Sequence, residues 1–316
     1  MPVPDNDFVT HLRPPKNRVD PTRPYFWLQE KEPGRDGTLQ DVHTLFLTNT
    51  ECPFKCVMCD LWKDTLSQPT PAGAIPQQIR YAQNCLSPGA STVKLYNNGN
   101  FFDTKAIPPE DHPAICSLLS TYSHVIVENH PKLCNPVIPE FRDRLSGSLE
   151  IAMGLETVHP KVLPALNKQM TTELFARSTE YLLQNNISVR AFILLNPPFL
   201  TDPDENIEWC LKSVQFAFDQ GVECCSIIPT RTGNGAMEKL QDEGDFVTPT
   251  LNALETVFKE ALVMDSGRVF VDLWDLDRFS ECRVCLEARK SRLHNMNLHQ
   301  KILPEIPCHC NGSGNL

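Results

Sequence analysis

The 316-residue sequence contains no run of about 18 apolar residues, so nothing in it reads as a membrane-spanning helix. Its N-terminal segment, MPVPDNDFVTHLRPPKNRVD, lacks the apolar stretch of a secretory signal. A soluble, cytoplasmic protein with no membrane partner is the expectation. Cationic charge is also scarce. The 29 Lys and Arg face 39 Asp and Glu, a formal net charge of -10, which argues against a broad nucleic-acid-binding surface but leaves room for a local basic groove. The thirteen cysteines are an odd count, and in a reducing compartment close thiols are metal ligands sooner than disulfides.

What is present is a repeat of short apolar runs and helical patterns. The runs are HTLFLTNT, STVKLYN, HVIVEN, LEIAMGLE, SVRAFILLN and ECCSIIPT, with RVFVDLWD as a further candidate. Between them lie helical stretches such as IPQQIRYAQNCL, TTELFARSTEYLLQNN and PDENIEWCLKSVQFAFDQG. Near-continuous apolar strands alternating with helices are the signature of parallel β-α units buried on both faces. The expected fold class is α/β, a partial (β/α)6-type TIM barrel over residues 41–264. An irregular N-terminal extension over 1–40 and a small Cys-rich metal-binding segment over 265–316 flank it. In such barrels chemistry sits at the C-terminal strand ends. Those ends read LTNTECPFKC, YNNGNFFD, VENHP, MGLET, LLNPPF and IIPTRTGNG.

The first of these carries Cys52, Cys56 and Cys59 in a C-x3-C-x2-C array, one thiolate short of a closed four-cysteine site. Three thiolates can hold an iron–sulfur cluster that leaves one iron open. A zinc knuckle with a distant fourth ligand and ordinary buried thiols are the competing readings. In the tail, Cys282 and Cys285 form C-x2-C, and Cys308 and Cys310 form C-x-C, with His294, His299 and His309 nearby. Two such pairs can close a zinc site or hold an auxiliary iron–sulfur cluster. Cys85, Cys116, Cys134, Cys210, Cys224 and Cys225 lie on or near apolar elements and read as small buried hydrophobes.

CPFKCVMC, with Met58 in the variable apolar slot, resembles the hallmark of the radical S-adenosylmethionine enzymes. The resemblance implies a [4Fe–4S] cluster on Cys52, Cys56 and Cys59 whose open iron chelates S-adenosylmethionine (SAM). It also implies reductive cleavage to a 5′-deoxyadenosyl radical that abstracts hydrogen from a substrate, and an external electron donor of flavodoxin or ferredoxin type. It places Asn98, Gly99 and Asn100 at a turn whose backbone binds the methionine amino group, a simple Asn-Gly turn being the alternative, Glu128 and Glu156 at the mouth as ligand contacts rather than the alternative of solvated loop carboxylates, and Met58 and Ile228 on the adenosine side. For Arg190 two readings stand side by side, a bidentate pair with the methionine carboxylate or a structural ion pair.

The order N-G-N-F-F-D, V-E-N-H-P, G-L-E-T, L-L-N-P-P-F and I-I-P-T with a Cys-rich tail is similar to the radical subunit of archaeosine synthase and its relatives, over roughly residues 40 to 310. That similarity implies a modified transfer RNA base as substrate and a partner modification enzyme. Radical chemistry on a peptide or small metabolite is the alternative, and a non-catalytic iron–sulfur or zinc electron-transfer protein is the reading from another class.

Overall fold

The computed structural model describes residues 4–307. Among them, eight strands form one sheet in chain order: β1 (Phe26–Pro33), β2 (Leu39–Phe46), β3 (Thr92–Tyr96), β4 (His124–Glu128), β5 (Ser148–Glu156), β6 (Ser188–Leu195), β7 (Cys224–Pro229) and β8 (Arg268–Val271). Strands β2 to β8 are mutually parallel, and β1 is antiparallel to β2. The helices in chain order are α1 (Asn6–His11), α2 (Ala74–Cys85), α3 (His112–Leu118), α4 (Val137–Arg144), α5 (Val162–Ala165), α6 (Thr172–Gln184), α7 (Pro203–Asp219), α8 (Ala236–Asp242), α9 (Leu251–Val263) and α10 (Arg283–His299).

The central strands are buried on their outer faces by the crossover helices. Val93, Leu95, Val125, Val127, Leu149, Ile151, Val189, Ala191, Cys225 and Ile227 are all 1% exposed or less, and they belong to one core with residues of the helices. The helix boundaries follow local chemistry. Asp202 accepts from the backbone N–H groups of Asp204 and Glu205, and Pro203 opens α7, where its missing N–H costs nothing. Thr171 and Thr250 cap α6 and α9 in the same way.

The barrel is open. Strands β1 and β8 are the two edges, and α10 packs against both. At the floor the seam is drawn together by Arg268, whose Nη1 donates to the carbonyl of Pro33 at 2.8 Å.

Two segments depart from the sequence expectation. Strand β1 lies within residues 1–40, which read as irregular. Its inward residues Glu30 and Glu32 pair with Lys94, so an ionic face replaces the apolar period that would have revealed a strand. Helix α10 lies in the tail, which read as poor in periodic apolar residues. Its buried face mixes Leu286, Leu293 and Met296 with Arg289 and Arg292, and the arginines hide the helical period. Arg289 pairs with Glu255 at 2.7 Å, and Arg292 Nε donates to the carbonyl of Pro304 at 2.8 Å.

Candidate functional site at the barrel mouth

Residues on alternate positions of these otherwise buried strands are partly accessible: Phe46, Tyr96, Glu128, Gly154, Phe192, Ser226 and Ile228. Strands buried on the helix side can be reached only from within, so these residues line a lumen that opens at the C-terminal strand ends. Below them lies an ionic floor. Arg190 Nε meets Glu150 Oε1 at 2.6 Å, its Nη2 contacts Glu32, Lys94 pairs with Glu32 and Glu30, and Arg268 Nε meets Glu223 Oε1 at 2.8 Å. Burial opposes ionisation of Glu32, but Arg190 and Lys94 beside it hold its pKa at about 2.

Arg190 therefore takes the second of its two readings. It is the third residue of β6, near the strand's start, and its guanidinium is committed to Glu32 and Glu150. The expectation that it sits at the mouth to pair with a cosubstrate carboxylate is corrected by that geometry.

At the mouth, β2 runs into the cysteine loop and the loops after β3, β5 and β7 grip it. Gly99 backs directly onto Cys52: a Cβ on Gly99 would come within 3.3 Å of the Cys52 Cβ, a tight contact that would push the loop by a few tenths of an ångström. Asn100 Nδ2 donates to the Cys52 sulfur at 3.2 Å while its Oδ1 accepts from His130 N at 2.7 Å. Asn234 Nδ2 donates to the carbonyls of Val57 at 2.7 Å and Cys59 at 3.0 Å. Asn167 Nδ2 donates to the carbonyl of Lys55 at 2.8 Å. Trp62, buried, donates its indole N–H to the Cys59 carbonyl at 3.2 Å. Met58 packs between the barrel core and a smaller cluster containing Val9, Val57 and Met237.

The donor set fits a multi-iron cluster. The thiols are half-buried on one loop: desolvation pushes Cys56 up to about 12 and raises Cys59 and Cys52, and Cys56 and Cys52 reinforce the shift at Cys59. Yet among the described residues no three His, Cys, Asp or Glu side chains converge as a single ion requires. Three thiolates that leave one position open are a donor set an iron–sulfur cluster uses.

Glu156, the last residue of β5, adopts φ +63°, beside a register shift at Gly154 and Glu156. This turns its carboxylate over Gly154 onto Lys168, with which it pairs. A Cβ on Gly154 would come within 2.2 Å of Glu156 Oε1 and 2.3 Å of Lys168 Nζ. Lys168 also senses Cys56 and Cys52 electrostatically, although burial opposes its charge and Glu156 is its main support. Sequence reasoning missed Lys168, and Asn234 was read only as part of a loop. Lys168 lies outside every strand-end string, and the left-handed residues Asn167 and Gln169 that flank it are the local signal.

Glu128 ends β4 inside the lumen, where Asn97 N donates to its Oε2 at 2.9 Å. Among the described residues no arginine or lysine forms an ion pair with it, and burial pushes its pKa up to about 7 against the weaker pull of the Asn97 N–H and of Lys168. Around it, buried polar atoms lack partners at several strand ends: Thr48 Oγ1, Asn49 Oδ1, both side-chain atoms of Asn97, Asn98 Nδ2 and Thr230 Oγ1. Asn98 has φ +50° and its Oδ1 accepts from Tyr25 at 2.6 Å. Orphaned polar groups concentrated at one end of a barrel mark a surface built for a ligand.

A run of aromatic rings leads from outside to this space. Trp274 and Phe26, both exposed, meet edge-on at 5.7 Å across the open seam. Phe26 is 5.8 Å from Phe46, Phe46 is 5.9 Å from Tyr96, and Tyr96 is 6.1 Å from Phe192.

The remaining cysteines divide. Cys116, Cys210, Cys224 and Cys225 are buried and Cys134 is half-buried, but Cys85 is exposed at the end of α2 and corrects the expectation of burial. Cys282 caps α10 and Cys285 lies in its first turn, in contact with Arg289. Cys308 and Cys310 lie outside the described residues, and no metal-ligand group is assembled among those that are described.

No family model matches the sequence. Among curated proteins, an uncharacterized protein of Methanocaldococcus jannaschii is 26% identical over 308 residues, covering 90% of this chain and 83% of that protein. Archaeosine synthase subunit beta of Methanosarcina acetivorans is 23% identical over 65% of this chain, and that of Thermococcus kodakarensis 25% over 58%. The match spans 61% and 59% of those two proteins. Among solved structures, coproporphyrinogen III oxidase (HemN) from Escherichia coli, a radical SAM enzyme, superposes with a TM-score of 0.51 at 15% identity over 70% of this chain and 52% of that one. The fold is that of the radical SAM enzymes. Streptococcus suis SuiB bound to S-adenosylmethionine gives a TM-score of 0.53 at 13% identity, covering 75% of this chain and 50% of that chain. Elp3 from Methanocaldococcus infernus gives 0.51 at 13% identity, covering 71% and 59%. The thiols and the orphaned polar groups lie at the C-terminal strand ends, the end at which parallel β/α barrels carry their chemistry. Among the described residues no helix is long and apolar enough to cross a membrane.

Proposed function

We propose that the chain is a radical SAM enzyme acting on a flat, ring-bearing substrate, most consistently a modified transfer RNA base. The observation that carries the enzyme reading is the joining of three half-buried thiols to the top of an open lumen whose rim holds unpartnered polar groups. A simple electron carrier has no use for such a furnished interior.

In this reading Cys52, Cys56 and Cys59 hold the [4Fe–4S] cluster. When bound and reduced, the cluster supplies an electron that splits the sulfonium of SAM to methionine and a 5′-deoxyadenosyl radical. The protein's own part is placement. Asn100 donates to the Cys52 sulfur, and hydrogen bonds to ligating sulfur tune a cluster's potential. Asn98, Gly99, Glu128 and Glu156 would hold the amino-acid end of the cosubstrate, and Lys168, paired with Glu156, would be the nearby cation for its carboxylate. Met58 and Ile228 provide apolar surface for the adenosine. The lumen beneath keeps water from the radical, and Phe46, Tyr96 and Phe192 offer ring surfaces to a planar group.

The names of the two archaeosine synthase relatives support the base-modification reading, and their designation as subunits supports a partner enzyme. An external flavodoxin- or ferredoxin-type donor completes the reaction. A second metal, zinc or iron–sulfur, on Cys282, Cys285, Cys308 and Cys310 belongs to the same proposal, and metal content of a Cys308→Ala variant tests it.

Anaerobic reconstitution decides the enzyme reading. About four iron ions assigned to Cys52, Cys56 and Cys59, with formation of 5′-deoxyadenosine on reduction with SAM, are expected, and Cys56→Ala should remove both. An intact cluster that yields neither methionine nor 5′-deoxyadenosine would sink it.

A further inference from the structure

The N-terminal segment, residues 5 to 17, bonds to the cysteine loop and packs its apolar residues against that loop and α8. Val9 of α1 is 1% exposed and packs with Val57, which stands between Cys56 and Cys59 and is 0% exposed. Phe8 and Leu12 join the same cluster, and Met58 borders it. Asn6 Oδ1 accepts from Asn167 Nδ2 at 2.9 Å, and Asn167 holds the carbonyl of Lys55. Asn17 receives the loop's far end: its N–H donates to the carbonyl of Lys63 and its Nδ2 to Asp64 Oδ1, both at 2.8 Å.

Arg13 joins the two ends of the loop. Its Nη1 donates to Glu51 Oε1 at 2.7 Å, immediately before Cys52. Its guanidinium carbon lies 4.5 Å from the centroid of the Trp62 ring, three residues after Cys59. Lys16 meets the other Glu51 oxygen at 2.8 Å, and Lys55 closes on Glu51 from within the loop. Gly235 is fitted to this segment as well, since a Cβ there would come within 1.9 Å of the Leu12 carbonyl oxygen.

We propose that residues 5 to 17 are a strap that forms part of the thiol site, with Arg13 as a positioning residue that fixes the spacing of Cys52, Cys56 and Cys59 by clamping the loop at Glu51 and Trp62. The strap contributes no ligand. It sets how often the loop opens, and so how well a cluster is retained. The polar bonds of the strap run to residues 51–66 and to Asn167, and its apolar side chains join the small cluster with Val57 and α8 rather than the main barrel core. The inference rests on the proposed cluster for its purpose, but the geometry it asserts can be tested in metal-free protein.

Site-resolved alkylation of the full-length metal-free chain by iodoacetamide provides that test. Arg13→Ala should raise the labelling rates of Cys52, Cys56 and Cys59 on the order of tenfold, while Cys210 and Cys225 in the core stay protected. Arg13→Lys, which keeps the charge but loses the planar stack on Trp62, should fall between, and it decides the matter if Arg13→Ala does not fold. In reconstituted protein, chelator-driven iron release should accelerate in the same order. Equal acceleration at all five cysteines, or unchanged labelling at the three loop thiols, overturns the strap. If the parent assembles no cluster, the cluster reading fails while the alkylation result still decides the strap.

Discussion

The floor and the mouth of the barrel lie one above the other on the same strands, and both hold buried carboxylates, yet they are finished differently. At the floor Glu32 and Glu150 each meet Arg190, and Lys94, His124 and Arg268 complete the set. None of these side chains has a buried unpartnered atom. At the mouth Glu128 has backbone N–H groups but no paired cation, and Thr48, Asn49, Asn97, Asn98 and Thr230 keep polar atoms without partners. Ions that satisfy one another hold a structure, whereas polar groups left over at one end are available to something else. The backbone does not share this contrast, since Asn186 and Asp265 take left-handed φ values ahead of β6 and β8 at the floor. Asn98, Glu156 and Asn196 take left-handed φ values at the mouth ends of β3, β5 and β6, a conformation that costs a non-glycine residue roughly 1–2 kcal/mol.

The largest effect that would test this contrast is at the floor. Arg190→Met leaves Glu32 and Glu150 facing each other without their shared cation. We expect a loss of about 3–5 kcal/mol in denaturant unfolding, because removing one partner strands buried charge. The folded fraction should still take up iron at the cysteine loop. A variant of unchanged stability that loses SAM binding would place Arg190 in the ligand site after all and erase the division.

An intermediate effect is expected where the mouth is shaped by what is missing. Gly154→Ala would drive a methyl group into the Glu156–Lys168 pair, which must move or tilt. Overpacking of this kind costs about 1–3 kcal/mol. Because the pair stands at the proposed methionine end of SAM, calorimetry should show a larger proportional loss in SAM affinity than in stability. Equal loss in both, or none in affinity, would reduce the pair to a structural role.

The strand–helix repeat was legible because burial on both faces writes itself as continuous apolar runs, and ECCSIIPT or HVIVEN can hardly be read otherwise. The cysteine loop was legible for a different reason, since its spacing alone limits the chemistry. Strand β1 and helix α10 were hidden because each turns charged residues inward, and a pattern search for apolar period counts Glu32 or Arg289 as surface. Lys168 and Arg13 were illegible in a stronger sense. Their roles depend on which distant loop they meet, 12 residues from Glu156 in one case and 38 from Glu51 in the other, and no local pattern encodes that. Arg190 shows the converse: a residue can sit in the right strand and still face the wrong end of it.

The smallest effect carries the contrast into pH. Glu32, held at about 2 by Arg190 and Lys94 against the cost of burial, adds stability that is present above the ordinary carboxylate pKa and lost as the pH falls toward 2. Glu128 works in the opposite direction. Burial raises it to about 7, so its contribution is present below the ordinary carboxylate range and lost as the pH climbs through 7, where the charge must be carried without a paired cation. Glu128→Gln should therefore flatten the decline in unfolding free energy between about pH 4.5 and 7 without changing the acid limb that Glu32 governs. If Glu128 receives a cationic group of SAM, binding should also strengthen as the pH rises through 7, and the variant should lose that dependence. Denaturation and calorimetry across pH 4 to 8 on the two proteins measure both. Parallel stability curves would mean that Glu128 is not an uncompensated carboxylate, and the distinction between a finished floor and an unfinished mouth would then rest on the asparagines and threonines alone.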